Sequence, residues 1–428
     1  MRLVGFGLIA TCLAITAGAA LAAPPEAWLG AWAHAPTAYN TSLTPQPPGP
    51  DGAPRPGRPG GYAPLAPYQN TTVRQITRLG ADAVRVRVRF SNEFGAGPLR
   101  IGAARIALAG AQGAIVAGSD HVLTFAGKTS VLIPPGAPLL SDPVTWKLPA
   151  FARLAVSIYY PEAATPPAHT IFSLEAFAAT TPGDQTGASS LPNAVAARSG
   201  AHVSQIEIVS TKAKQVVVAF GDSTTEGVGS TVGAFRAWPD RLAERLAANA
   251  AGRSWSVMNA GVGSNRLLHD TPSVNALARF DRDVLSVPGV AAVIVALGVN
   301  DIQYGHRNPA EAVGAEEMID ALKQLALRAH ARGVLFFAAT IMPFKGSGDY
   351  TEAGEAVRQA VNGWIRSDGG IDGVVDFDAA VRNPADYAAL RSDFDGGGHL
   401  HPNDVGYAAM GDAVDLKRLT AGPRRARR

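Results

Sequence analysis

The sequence predicts an all-β region followed by an α/β domain with a parallel sheet. From about residue 28 to 208, short apolar runs alternate with Gly/Pro turns, and AVRVRVRFSNEF (83–94) has the period of two of a half-buried strand. After about residue 212, apolar β-branched runs such as QVVVAF (215–220) alternate with amphipathic stretches of helical length. The hydrophobic content of 47% is enough for sizeable buried cores.

The first 23 residues resemble an export signal. Arg2 supplies a positive charge, an apolar stretch follows, and Ala20-Leu21-Ala22 matches the small-residue pattern of a cleavage site. A membrane anchor is the weaker alternative, because the cleavage pattern is present. We therefore expect a secreted or periplasmic protein without stable membrane insertion after cleavage. The one cysteine, Cys12, falls in this leader, so the rest of the chain has no disulfide or thiolate chemistry.

The remaining boundaries follow from composition. A sandwich or jelly roll is predicted over 24–210, interrupted by a Pro/Gly-rich insertion at 44–67. The α/β domain is predicted over 211–420, and a basic disordered tail over 421–428. Net charge is only +3, and no basic stripe interleaved with aromatic residues is present, so we do not expect a nucleic-acid partner.

Polar groups follow three of the predicted parallel strands. Ser223 lies on the turn after the first strand, Gly261 ends the second, and Asn300 follows the third. The carboxyl ends of parallel strands meet at one edge, where ligands bind. A serine hydroxyl with three donors, the N–H groups of Ser223 and Gly261 and the amide of Asn300, is what acyl transfer through an oxyanion requires.

The serine needs a base, and the segment GGGHLHPND (396–404) offers His399 and His401. Pro402 biases His401 towards extended backbone. Side chains two residues apart on an extended segment point the same way, so periodicity leaves both histidines open.

These four segments resemble the SGNH hydrolase (GDSL esterase/lipase) superfamily. GDS, NAGVGSNRLL, GVND and HPND stand in that family's order from about residue 212 onwards, and the β region resembles an exported bacterial branch with an N-terminal β-sandwich. The resemblance implies a flavodoxin-like three-layer domain and no cofactor. It also implies that Ser223 is the nucleophile, His401 the base, and Gly261 and Asn300 the partners of Ser223 in the oxyanion hole.

The chain departs from the family at the catalytic acid. The family has an acid three residues before the histidine, where this chain has Gly398. Asp395, six residues before His401, could return across the glycines, and a backbone carbonyl could also orient the imidazole. Asp393 is a weaker candidate. We expect a Ser–His dyad assisted by Asp395 or by a carbonyl, although Asp395 could equally be a turn residue.

A metal site built from the acidic and histidine residues of this loop is disfavoured. No second cluster completes the set, and Asp404 is expected to cap the next helix.

Three functions remain open. The first is an exported serine esterase acting on short, acetyl-like esters, for which the resemblance implies carbohydrate deacetylation or broad arylesterase activity. The second is a polysaccharide-binding protein whose catalysis is impaired by Gly398. The third is an acyltransferase that uses the same serine.

Overall fold

The computed structural model describes residues 26–37, 66–167, 178–197, 199–271, 273–367 and 370–421. The predicted leader at 1–23 lies outside these residues. So do the insertion at 44–67, except for its last two residues, and the basic tail, except for Ala421.

The first region is built of antiparallel sheets, as predicted: two large sheets share a core, and a small third sheet pairs β4 with β7. One large sheet has the order β1-β13-β3-β8 with β9 also paired to β3, and the other has the order β12-β11-β2-β10-β5-β6. Phe90 of the first sheet and Ile158 of the second belong to one buried apolar cluster. The strands are β1 (Leu29–Ala33), β2 (Thr71–Arg78), β3 (Ala83–Ser91), β4 (Leu99–Ile101), β5 (Ala103–Leu108), β6 (His121–Val122), β7 (Val131–Ile133), β8 (Pro138–Leu140), β9 (Val144–Leu148), β10 (Arg153–Tyr160), β11 (Ala178–Pro182), β12 (Val195–Ala196) and β13 (Val203–Val209).

The second region contains a five-stranded parallel sheet of order β15-β14-β16-β17-β18. Its strands are β14 (Gln215–Gly221), β15 (Trp255–Gly261), β16 (Val290–Ala296), β17 (Leu335–Ala339) and β18 (Gly373–Val375). Along β14, Val216, Val218 and Phe220 enter one buried cluster, whereas Val217 and Ala219 enter a second. Apolar side chains therefore leave both faces of the sheet, as a layer of helices on each side requires.

Helices connect these strands and cover both faces. They are α1 (Ser223–Glu226), α2 (Trp238–Ala248), α3 (Ala276–Phe280), α4 (Val299–Arg307), α5 (Ala315–His330), α6 (Glu352–Ser367), α7 (Phe377–Val381), α8 (Asp404–Asp412) and α9 (Leu416–Thr420). A π-helical turn, Asp281–Leu285, continues α3, and a hairpin of β19 (Arg382–Asn383) and β20 (Asp386–Leu390) precedes the last loop. The predicted alternation of strands and helices is confirmed.

The strand order fixes where a ligand can bind. The chain goes from β14 to β15 on one side and then crosses to β16 on the other. The connections on the two sides of β14 diverge, which opens a crevice at its carboxyl end. Ser223 is the second residue after β14 and therefore lies at this crevice.

The two regions pack closely along the edge strand β15. The Gly30 N–H donates to the Pro288 carbonyl at 3.0 Å, and Gly80 packs directly against the backbone of Val257 in β15. Arg78 forms an ion pair with Asp240 of α2 at 2.6 Å. Among the helices that the structure describes, none is long and apolar enough to cross a membrane.

Gly80 provides a test of this contact. A Cβ at residue 80 would lie 2.6 Å from the Val257 carbonyl oxygen, which belongs to the backbone of β15 and cannot rotate away. We expect Gly80→Ala to lower the free energy of unfolding by about 1–3 kcal/mol, measured by urea denaturation. Gly97→Ala is the control, because a Cβ there meets no atom within 4 Å. Equal stabilities of the two variants would contradict the close packing.

Candidate active site

The site begins at the turn between β14 and α1. Asp222 caps the helix, because its side chain accepts a hydrogen bond from the Thr224 N–H at 2.9 Å. This puts Ser223 at the first helical position, where a backbone N–H has no intrahelical partner. Among the described hydrogen bonds, none is donated by the Ser223 N–H. The turn thus presents both a hydroxyl and a backbone donor at the sheet edge.

Ser223 meets His401 across 178 residues of chain. The serine Oγ lies 2.8 Å from Nε2 of the imidazole. With Nε2 unprotonated, the hydroxyl donates to it, which is the geometry of a nucleophile and its base. Of the two histidines that the sequence left open, the structure brings His401 to the serine.

Contacts between the segment after α1 and the start of α8 hold His401 there. The Thr231 N–H donates to Asp404 Oδ1 at 2.7 Å, and the Tyr407 hydroxyl donates to the Val228 carbonyl at 2.6 Å. Gly229, at φ +95°, packs so closely that a Cβ would lie 2.6 Å from the Pro402 carbonyl oxygen. The strand–helix turn and the histidine loop therefore form one packed unit.

Asp395 contacts its own loop. Its Oδ1 accepts hydrogen bonds from the N–H groups of Gly397, at 2.9 Å, and His399, at 3.2 Å, while Oδ2 lies 2.8 Å from Nδ1 of His399. Gly397 and Gly398 have φ of +102° and +95°, values that favour glycine and that turn the chain sharply here. The described contacts of the returning carboxylate are with His399 and the loop backbone.

The side chain of His399 is exposed to solvent. Its backbone has φ +58°, an uncommon value for a residue with a side chain. Its ring rests on Gly346, where an added Cβ would come within 2.9 Å of it. Strain of this kind is kept where the surrounding contacts hold it, here the pair with Asp395.

The backbone at Gly261 lies against α1. A Cβ there would come within 2.2 Å of the Glu226 nitrogen, so only glycine fits. The Gly261 N–H donates to Asn259 Oδ1 at 2.9 Å, and Asn259 Nδ2 donates to the Thr225 carbonyl at 2.7 Å. The N–H predicted for the oxyanion hole thus already has an internal acceptor.

The side chain of Asn300 is also engaged. Its Nδ2 donates to Asp222 Oδ2 at 3.3 Å and to the Asn265 carbonyl at 3.1 Å.

The sequence prediction missed one backbone donor, which lies on the loop after β15. Ser264 is half-buried at φ +57°, and no described hydrogen bond comes from its N–H. The only sequence signal was its place in the Gly-rich NAGVGSNR stretch.

Two buried carboxyl groups lie beneath the site. Burial raises the pKa of Asp222 to about 7 and that of Asp301 to about 6. Asp301 accepts hydrogen bonds from the N–H groups of Leu267 and Leu268, at 2.9 Å and 3.3 Å for the closest oxygen of each. It therefore ties the loop after β15 to α4, the helix that carries Asn300.

The loop does not form a metal centre in the described residues. No group of three or more His, Cys, Asp or Glu side chains there could hold an ion. The expectation for Asp404 was wrong in one respect: Asn403 caps α8 by accepting from the N–H groups of Val405 and Gly406. Asp404 instead binds Thr231, because its side chain points across to the segment after α1.

Comparison with known proteins agrees with this geometry for the second region. Residues 219–409 match the model of the GDSL-like Lipase/Acylhydrolase family. This segment is a GDSL-like lipase/acylhydrolase domain. The resemblance predicted from the four motifs is confirmed for it, while the antiparallel region lies outside the match.

Several solved structures resemble the GDSL-like domain. One is described as a lipolytic protein of the G-D-S-L family from Desulfitobacterium hafniense, with 22% identity over 46% of this chain and 97% of its own, at TM-score 0.36. A GDSL-like lipase from Bacteroides thetaiotaomicron has 19% identity over 49% and 89%, at 0.36. A variant of an acetyl xylan esterase from Geobacillus stearothermophilus has 19% identity over 50% and 99%, at 0.38. Among curated proteins, none matches the chain.

Asp222 gives a pH-dependent prediction for the GDSL-like domain. Its folded pKa of about 7 exceeds the unfolded value, so between about pH 4 and 7 the folded state holds a proton that the unfolded state has lost. The free energy of unfolding therefore falls as the pH rises through this window. From pH 5 to 7.5, we expect this fall to be about 2 kcal/mol smaller in Asp222→Asn than in wild type.

Urea unfolding at the two pH values measures this difference. Ser223→Ala, at the next residue, removes no ionisable group from the fold and is expected to keep the wild-type pH dependence. An Asp222→Asn variant with that same pH dependence would show that burial of this carboxyl does not affect stability.

Proposed function

We propose that the protein is a serine esterase that hydrolyses short-chain acyl esters through an acyl-enzyme on Ser223. The observation that carries this proposal is the 2.8 Å contact between Ser223 Oγ and His401 Nε2 at the carboxyl edge of the parallel sheet. The GDSL-like lipase/acylhydrolase domain over residues 219–409 supports the same chemistry.

In this mechanism His401 works first as a base and then as an acid. Its Nε2 takes the proton of Ser223 as Oγ attacks the acyl carbon, and the carbonyl becomes an oxyanion. Collapse of this intermediate breaks the ester bond, and the alcohol leaves with the proton held by His401. Water then attacks the acyl-enzyme by the same route in reverse, which releases the acid and restores the serine.

Four donors are candidates for binding the oxyanion, two of them as alternatives for the third place. The Ser223 N–H is retained from the sequence prediction, and the Asn300 amide is retained on condition that it gives up one of its bonds to Asp222 and Asn265. For Gly261 to serve, its N–H would have to give up its bond to Asn259. The N–H of Ser264, on the same loop, has no such bond to break and is an alternative third donor.

Asp395 acts in this proposal as a positioning residue. Its carboxylate fixes the backbone of the glycine loop, and the Gly396 N–H donates to the His401 carbonyl at 2.8 Å. An antiparallel bridge between Asp395 and Pro402 adds to this restraint. The backbone that carries His401 is thereby held, even though the family's acid position is occupied by Gly398.

A small apolar pocket supports a short acyl group. It is partly open to solvent and is lined by the two neighbours of Ser223, Asp222 and Thr224. Its apolar lining includes Leu297 and Ile341, which follow β16 and β17, and Leu400 of the histidine loop. We propose that the substrates are acetyl-like esters, including esters of carbohydrates. We also propose that the leader at 1–23 directs export of the protein.

The esterase proposal is tested by hydrolysis of p-nitrophenyl acetate. We expect Ser223→Ala to lower kcat by at least about 10³-fold, since removal of the nucleophile leaves only binding and oxyanion stabilisation. p-Nitrophenyl octanoate should be a poorer substrate than the acetate because the pocket is small. Wild-type turnover no faster than that of Ser223→Ala on either ester would contradict the proposal.

The role of Asp395 is tested by two substitutions. Asp395→Asn keeps the acceptor for the loop N–H groups, so kcat is expected to stay within about tenfold of wild type, whereas Asp395→Ala should lose more. A residue acting as the direct acid of the triad would lose about 10⁴-fold on amide substitution. A loss of that size in Asp395→Asn would therefore contradict the positioning role.

Gly398→Asp complements this pair of variants. Gly398 has φ +95°, so an aspartate there is strained and should destabilise the loop by about 1–3 kcal/mol. We expect kcat not to increase. An increase of tenfold or more would mean that the imidazole of His401 lacks an orienting group in the wild-type chain.

A further inference from the structure

We infer that the antiparallel region positions the active site through a buried path of ion pairs and hydrogen bonds, in which Arg282, Asp283 and Arg279 are positioning residues. The inference rests on the proposed esterase function for its kinetic consequence. The path itself consists of contacts between described residues, from the antiparallel region to the turn before Ser223.

The outer end of the path is Arg282. Its Nη2 donates to the Pro36 carbonyl at 2.7 Å, and its guanidinium lies over the Phe94 ring at 5.0 Å from the centroid. Pro36 follows β1 and Phe94 follows β3, so both contacts belong to the antiparallel region. A cation over an aromatic face and a charged donor on a carbonyl each favour one orientation of the guanidinium.

The middle of the path is the carboxylate of Asp283, which is only 4% exposed. Its Oδ1 accepts from Arg282 Nε at 2.6 Å, and its Oδ2 accepts from Arg279 Nη1 at 3.0 Å. Asp283 and Arg282 lie in the π-helical turn that continues α3. π-Helical turns are rare in proteins, and those that occur are often found at functional sites. Here the turn lets one carboxylate join two arginines.

The inner end is Arg279, whose side chain is fully buried. It donates to the Gly221 carbonyl at 2.7 Å, to the Ala260 carbonyl at 2.9 Å and to Asn265 Oδ1 at 2.8 Å. Gly221 ends β14 two residues before the nucleophile, and Ala260 is the next-to-last residue of β15. The guanidinium therefore joins the ends of the two strands that carry the site.

One further bond carries the path to the predicted oxyanion hole. The carbonyl of Asn265 accepts from Asn300 Nδ2, and the same amide group donates to Asp222. The side chain of Asn265 is held by Arg279, and its Nδ2 donates to Ser273 Oγ at 3.0 Å. A shift of Arg279 would therefore move Asn300 and the Ser223 turn together.

The path depends on the carboxylate of Asp283, because the guanidinium of Arg279 is buried and charged. Burial lowers the pKa of Arg279 to about 10, and the nearby Asp283 opposes that effect. A buried cation without its carboxylate is strongly destabilised, so Arg279 keeps its place only while Asp283 keeps its own. Asp283 is in turn oriented by Arg282, which the antiparallel region holds. Contacts outside the catalytic domain thus set the geometry at Ser223.

The test compares two arginines that bridge the same pair of regions. Arg282→Met keeps the apolar length of the side chain but removes the donors. Arg78→Met is the matched control, because Arg78 also joins the regions, through Asp240 at 2.6 Å and the Phe151 and Phe235 rings, with no described hydrogen bond to Arg279 or Asp283. Both variants are measured for kcat and KM on p-nitrophenyl acetate and for unfolding midpoint.

We expect Arg282→Met to lower kcat about tenfold with KM changed less than about twofold, because positioning of the reacting groups affects turnover more than binding. Arg282→Lys, which keeps a charged donor, should restore most of kcat. Arg78→Met should keep kcat within about twofold even if its unfolding midpoint falls. Unchanged kcat in Arg282→Met, or an equal loss in Arg78→Met, would overturn the inference.

Hydrogen–deuterium exchange separates this inference from the esterase proposal. Amides of residues 221–227 should exchange faster in Arg282→Met than in wild type, and Arg78→Met should match wild type. This readout needs no turnover, so an inactive wild-type protein would contradict the esterase proposal alone. Equal exchange in all three proteins would contradict the path.

Discussion

One buried guanidinium, that of Arg279, determines how the carboxyl edge of the parallel sheet is arranged. A buried charge needs hydrogen-bond acceptors, and here they are the last carbonyl of β14, the next-to-last carbonyl of β15, one amide oxygen and one carboxylate. Neither strand end can move without leaving that charge unsatisfied. The positions of Ser223, two residues beyond β14, and of Gly261, at the end of β15, follow from this constraint.

The Ser223–His401 pair depends on a second set of contacts. His401 belongs to a loop with few regular hydrogen bonds, and it is placed by the helix that follows it. Thr231 binds Asp404 and Tyr407 binds Val228, so α8 is fixed to the segment after Ser223. Packing at Gly229 leaves no space for a side chain between the two segments. The imidazole of His401 is therefore held beside Ser223 by well-packed neighbouring segments.

Asp395 and the glycines that follow it shape the loop that carries His401. Positive φ at Gly397 and Gly398 turns the chain sharply, which an aspartate at residue 398 would resist. Asp395 takes up three groups of the turned loop, and one of them is the imidazole of His399. Asp395, which does not stand at the acid position of the family, thus stabilises the loop that carries His401. In this proposal its effect on the imidazole is indirect.

The sequence by itself determined the two-part architecture, the alternation of strands and helices, and the group of polar residues at the strand ends. Those features follow from the hydrophobic periodicity of short segments and from the order of the motifs along the chain. Both can be read directly from the sequence. Tertiary structure decided which histidine meets Ser223, that the described contacts of Asp395 are with His399 and its own loop, and that the Gly261 N–H is already paired with Asn259. It also joined Arg279 to both strand ends. These outcomes depend on loop dihedral angles and on contacts between residues far apart in the chain, and no local pattern of residues encodes either.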